Sequence, residues 1–194
     1  MDEDREWATM SKKIFGAIMD IGSPKKRKFD SKRVDDESRN VNSDSCKKCG
    51  GRCCKKCGCH FAPDDFENLT YEGLKREIEK GYISIDLVDG EMFDRSGFFY
   101  MLRVRNVGAP IVDYGYARSS CCLLTKRGCK LNYSKRPMGG KMLIPRYAII
   151  EGSELLMCTN LYDIEECCMD WKEHTQVISK LAEYFKDKDF TCNL

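Results

Sequence analysis

No stretch of this 194-residue chain approaches the roughly 18–20 consecutive apolar residues that cross a bilayer, so a helical membrane span is excluded. A strong charge of either sign is also missing. Lysine plus arginine number 33 and aspartate plus glutamate 31, leaving a formal +2. That balance argues against a nucleic-acid partner bound by bulk electrostatics, and leaves only the local run Lys25–Lys26–Arg27–Lys28 as a basic patch. The chain has no G-x-x-x-x-G-K-[ST], no G-x-G-x-x-G after a strand, no G-x-S-x-G and no H-E-x-x-H. With no catalytic constellation standing out, binding is expected rather than turnover. The first ten residues, MDEDREWATM, are acidic and carry no apolar secretory core. The expected compartment is therefore the cytoplasm, where thiols stay reduced.

Against these absences stand thirteen cysteines, an odd number that fits poorly with a complete disulfide framework. Six of them, with one of the two histidines, fall within CKKCGGRCCKKCGCH, residues 46–60, and CKKCG occurs there twice. In C-x-x-C-G the chain folds round a metal as a knuckle. Two sulfurs meet on one ion, and glycine takes the positive-φ turn that lets backbone N–H groups reach the thiolates. Cys46, Cys49 and Gly50 form one such unit, and Cys54, Cys57 and Gly58 the other. Only Gly51, Arg52 and Cys53 separate them, so two well-formed knuckles on one ion would be strained. The cluster is expected either to divide between sites or to recruit distant ligands. Cys122 and Cys129 offer themselves across the turn Thr125-Lys126-Arg127-Gly128, with Cys121 just before. The candidate ligands are thus Cys46, Cys49, Cys53, Cys54, Cys57, Cys59, Cys122 and Cys129.

Zinc and iron–sulfur clusters both select thiolates, so the donor type admits zinc or iron alike. His60 is read as a polar neighbour of the cluster and His174 as a structural or surface residue. The lysines and arginine interleaved with the cysteines (Lys47, Lys48, Arg52, Lys55, Lys56) would offset thiolate charge for either metal.

Along the chain, Trp7, Met10, Ile14 and Ile18 mark an amphipathic helix within residues 1–22, suited to docking or a protein partner. Residues 23–45 read as a charged flexible linker and 46–194 as the cysteine-cluster domain. Phe66, Leu69, Leu74 and Ile78 suggest one or two short helices, capped by Thr70 or Asp64 and stopped by Gly81. Residues 82–88 and 98–105 alternate as two antiparallel strands, and 142–150 offer another. Leu161, Ile164, Cys168, Trp171, Thr175, Ile178, Ala182 and Phe185 predict one long helix capped by Asn160 or Thr159. The fold class expected is α+β: a small, irregular, metal-stabilised domain with a short antiparallel sheet, an N-terminal helix and a long C-terminal helix. Asp94-Arg95 and the Arg103/Arg105 pair are expected in ion pairs.

The head CKKCGGRCC, the later Cys122…Gly128-Cys129 and the following Arg136-Pro137 resemble the YkgJ-type cysteine-cluster family of zinc- or iron-chelating domains. The resemblance covers roughly residues 46–145. It implies that Cys46, Cys49, Cys53, Cys54, Cys122 and Cys129 hold the metal. The family carries a further cysteine shortly after its R-P pair, where this chain has Gly139 and Gly140. The missing thiolate would come from Cys57, Cys59, Cys158 or the pair Cys167–Cys168. The expected function is metal binding that organises the fold and a partner surface. An iron–sulfur electron carrier and a nucleic-acid adaptor using the basic linker are the alternatives.

Overall fold

The alternation of Ile83, Ile85 and Leu87 and of Phe98, Tyr100, Leu102 and Val104 forms the central hairpin of the computed structural model. The structure describes residues 50–114, 119–126, 128–150, 153–188 and 190–192. The amphipathic segment 1–22, the linker 23–45, Cys46 and Cys49 lie outside them. The described residues belong to one compact unit, Asp35–Leu194.

Strand β1 is His60–Phe61, β2 Ile83–Asp89, β3 Phe98–Val104 and β4 Val112–Asp113. They make one sheet in the order β1-β3-β2-β4. β2 pairs antiparallel with β3 from Ile83↔Val104 to Asp89↔Phe98, as the alternation predicted. The purely antiparallel expectation needs correction, because β4 runs parallel to β2 through Ile85↔Val112 and Asp86↔Asp113. A two-residue strand within a turn-rich segment has no periodicity to announce it. Two separate hairpins follow: β5 (Leu124–Thr125) with β6 (Gly128–Cys129), and β7 (Leu143–Ile150) with β8 (Ser153–Asn160).

The helices are α1 (Tyr71–Ile78), α2 (Met138–Lys141), α3 (Ile164–Asp170) and α4 (Thr175–Phe185). Thr70 caps α1 by accepting from the Gly73 N–H, and Gly81 ends the turn after it at φ +82°. The single long C-terminal helix is replaced by α3 and α4 joined through a 3-10 turn, Lys172–His174. Asp163 caps α3 through the Glu166 N–H, because Asn160 is still paired in β8. The later part of the apolar stripe survives this break, with Cys168, Trp171, Ile178, Ala182 and Phe185 all buried, but Leu161, its predicted first member, is exposed before the helix begins.

Both faces of the sheet are covered, since Ile83–Asp86 and Met101–Val104 are buried without interruption. One face carries Ile83, Ile85, Leu102, Val104 and Phe61. The other carries His60, Ser84, Asp86, Arg103 and Asp113, brought level by the pairings His60↔Arg103, Ser84↔Arg103 and Asp86↔Asp113. Arg103 donates from Nε to Asp86 and from Nη2 to Asp113 at 3.2 Å. Arg103 is thus in an ion pair as predicted, at the centre of the domain; Arg95 pairs with Glu165 at 2.8 Å on the surface. At the sheet edge, the Phe61 carbonyl accepts from Trp171 Nε1 at 2.7 Å and Cys167 Sγ at 3.4 Å, which fastens α3 to β1.

Candidate metal centre

Gly50 and Gly51 turn the chain at φ +65° and +70° into a tight loop. Within it Lys55 N–H bonds to the Gly51 carbonyl at 3.0 Å, and Cys57 N–H to the Cys53 carbonyl at 3.1 Å. Gly50 takes the positive φ that the knuckle pattern asks for. Gly58 is not among the positive-φ residues and serves differently. A Cβ there would stand 1.8 Å from the Val104 carbonyl oxygen, so glycine is needed for close approach to the sheet. The Gly58 N–H donates to Asn106 Oδ1 at 2.8 Å, and Val104 N–H to the Cys59 carbonyl at 2.8 Å.

The second half of the cluster arrives on the segment before β5. Cys121 N–H donates to the Cys54 carbonyl at 2.7 Å and Cys122 N–H to the Arg105 carbonyl at 3.0 Å, while Asn106 bridges Cys121. The two neighbouring cysteines then part company. Cys121 is buried within electrostatic reach of Cys57, Cys59 and Cys129. The Cys122 thiol instead meets that of Cys192.

The thiol contacts run through three parts of the chain. Cys53 is hydrogen-bonded to Cys158 of β8 and to Cys54, and Cys54 in turn to Cys59. Those contacts set the acidities. Cys158, and after it Cys54, stabilise the Cys53 thiolate and bring it down to about 3. Cys54 moves up instead, because its bonds to Cys53 and Cys59 favour its protonated form and burial adds to that. Burial raises Cys57, Cys121 (to about 12) and Cys129, the last opposed by nearby Arg136. Cys59 stands at the hub, within electrostatic reach of Cys54, Cys57, Cys121 and Cys129 alike.

The Gly139-Gly140 pair has a steric explanation. A Cβ at Gly139 would meet the His60 backbone at 2.9 Å, so glycine lets α2 lie on β1. A Cβ at Gly140 would lie 3.5 Å from Cys59 Sγ, so the Cys59 sulfur fills the space in front of position 140.

Of the eight ligands predicted from sequence, Cys53, Cys54, Cys57, Cys59 and Cys129 are brought into one neighbourhood, while Cys122 meets Cys192 and lies within electrostatic reach of Cys121. Cys46 and Cys49 lie outside the described residues. Cys121 and Cys158 join the neighbourhood without having been in that set. Spacing cannot show which of two adjacent cysteines faces inward; only the Asn106–Cys121 bridge does. Among the described residues, no group of three or more His, Cys, Asp or Glu side chains is arranged to hold a metal ion. Thiols are the donor type a thiophilic metal selects, but the described residues alone do not form an enclosing set.

His60 is buried on the sheet, where burial first and the Arg103 cation second hold its imidazole down to about 4. Cys167 is engaged with the Phe61 carbonyl, and His174 stacks edge-on against Trp171. Among the described residues, no helix is long and apolar enough to cross a membrane. No family model, no curated protein and no solved structure matches this chain.

Proposed function

We propose that this protein binds a thiophilic metal ion, zinc or iron, through the cysteine cluster, and that the metal organises the domain and a partner-binding surface. The observation that carries the reading is the thiol chain Cys158–Cys53–Cys54–Cys59, which draws β8, the cysteine loop and the approach to β1 together. Thiols packed this closely repel one another once ionised, and a bound dication reverses that repulsion while favouring the thiolate form. Four thiolates drawn from Cys46, Cys49, Cys53, Cys54, Cys59 and Cys158, with Cys53 and Cys158 among them, would hold the ion, and Cys57, Cys121 and Cys129 would stand in reserve around them. The place of Cys59 against Gly140 fits a thiolate supplied from the loop where the R-P segment has none. Cys122 is left out of this ligand set. Bound metal would contribute folding free energy to a domain whose described residues between 105 and 142 form only short elements.

The test is metal content and absorbance of the full chain purified without oxygen, alongside its Cys53→Ser, Cys158→Ser and Cys192→Ser variants. The reading expects stoichiometric metal in the parent and in Cys192→Ser, with loss in the other two. Colourless zinc protein supports a structural chelate; iron with acid-labile sulfide turns the same site toward electron transfer. A metal-free parent, or full retention in both Cys53→Ser and Cys158→Ser, defeats it.

A further inference from the structure

Cys122, just before β5, and Cys192, in the tail after α4, stand outside the proposed metal set. They lie about 70 residues apart in sequence, and their thiols are in hydrogen-bond contact. The contact is framed by Arg105. Its carbonyl accepts the Cys122 N–H at 3.0 Å, and its guanidinium bonds to the carbonyls of Ala109 at 2.5 Å and of Phe190. The tail is held independently by the Phe185–Phe190 ring contact, with centroids 5.8 Å apart. It also lies on Gly81, where a Cβ would meet the Thr191 carbonyl at 2.5 Å and Cys192 Cα at 3.4 Å. A side chain at 81 would therefore push Cys192 away from Cys122.

The two thiols differ in access: Cys192 is exposed and Cys122 half-buried. We propose that Cys122 and Cys192 form a reversible disulfide that locks the C-terminal tail onto the segment leading into β5, with Cys192 as the entry thiol and Cys122 as the resolving thiol.

The chemistry needs an outside oxidant, for which a low-molecular-weight disulfide such as glutathione disulfide suffices. The Cys192 thiolate attacks one sulfur of that disulfide, breaking its S–S bond and expelling one small thiolate, which takes up the proton Cys192 released. The Cys122 thiolate then attacks the Cys192 sulfur of the mixed disulfide. The protein S–S bond forms, the mixed one breaks, and a second small thiolate leaves and takes up the proton from Cys122. In sum, two protein thiols are oxidised and one small disulfide is reduced to two thiols. Cys192 goes first because a bulky disulfide can approach it in line; Cys122 follows because it already touches that sulfur.

The experiment uses the full chain with its metal, exposed to graded glutathione disulfide, quenched with acid and alkylated. Intact mass and peptide mapping then locate the bridges. The expected result is a loss of two alkylatable thiols and one cross-linked pair of peptides, carrying Cys122 and Cys192, that disappears on reduction. Cys122→Ser should halt at a mixed disulfide on Cys192, and Cys192→Ser, an exposed change that leaves the core untouched, should stay unmodified at Cys122. Limited proteolysis should cut after Lys188 at least tenfold more slowly in the bridged form. A bridge to Cys192 that persists in Cys122→Ser runs to another cysteine and overturns the proposal. So does a parent in which Cys192 stops at the mixed disulfide, or a bridged form cut as fast as the reduced one. Since neither cysteine belongs to the proposed metal set, a metal-free parent that still forms this bridge would defeat the metal reading and leave this one standing.

Discussion

Replacing Gly58 by alanine tests whether the cysteine loop is held by backbone contact with the sheet. The added methyl would stand 1.8 Å from the Val104 carbonyl oxygen, 2.6 Å from its carbon and 2.9 Å from its Cβ. An ordinary carbon–oxygen contact is about 3.3 Å or more, so loop and strand must separate by more than an ångström. The obstacle is backbone, which cannot swing aside as a side chain would. Separation stretches two bonds beyond useful length, Gly58 N–H to Asn106 Oδ1 and Val104 N–H to the Cys59 carbonyl, both now 2.8 Å. Losing two buried hydrogen bonds costs about 2 kcal/mol, and overpacking adds about 1–3 kcal/mol. The expected loss of about 3–5 kcal/mol is a large part of the stability of an ordinary domain. Urea unfolding followed by the fluorescence of buried Trp171, in the metal-loaded protein, measures it. Gly140→Ala is the matched control: its methyl meets only Arg136 Cβ at 3.4 Å and Cys59 Sγ at 3.5 Å, so its effect should stay within about 1 kcal/mol. If Gly58→Ala unfolds at the same urea concentration as the parent, the close-approach argument is wrong.

Three further outcomes follow from the packing. Arg103→Met leaves Asp86 and Asp113 buried without their cation and should cost about 3–5 kcal/mol in the same unfolding assay, or yield insoluble protein. Thr70→Ala removes the oxygen that accepts the Gly73 N–H and should cost about 1 kcal/mol, whereas Thr70→Ser should be nearly neutral by thermal melting. Arg95→Ala breaks an exposed bridge to Glu165 and should change stability by less than about 1 kcal/mol, an effect that fades further in molar salt; a larger, salt-insensitive loss would contradict the surface assignment.

The parts of the fold legible in the sequence are those where one local rule decides. Ile83, Ile85 and Leu87 could only make a strand facing apolar partners, and Thr70 and Gly81 bracket α1 by capping chemistry alone. Strand β8 was not legible: Ser153–Asn160 contains Leu155, Leu156 and Met157, good helix formers without alternation, and becomes a strand because β7 pairs with it. That pairing consumes Asn160, which looked like a helix cap, and moves the start of α3 to Ile164. The break at Lys172–His174 keeps Cys168, Trp171, Ile178, Ala182 and Phe185 buried in register, so periodicity could not reveal it. In the cluster, the nearness of the loop thiols was legible from their spacing, but the partition of thiols was not. Cys121 comes beside Cys57, Cys59 and Cys129 while Cys122 meets Cys192, and Cys158 reaches Cys53 only through a strand that the sequence concealed.

The bond from Trp171 to the Phe61 carbonyl, described above as a fastening of α3 to the sheet, also bears on the order of events during synthesis. Strand β1 immediately follows the cysteine loop, yet its outer edge is completed by a residue made 110 positions later. At roughly 5–20 residues per second, a ribosome needs roughly 6–22 s to get from one to the other. Throughout that interval the cysteines of the loop are already in solution, while Cys121, Cys129 and Cys158, and the helix that seals the edge, are still being made. Until then the loop cysteines lack Cys121, Cys129 and Cys158, so the thiol neighbourhood closes only when the chain is nearly complete.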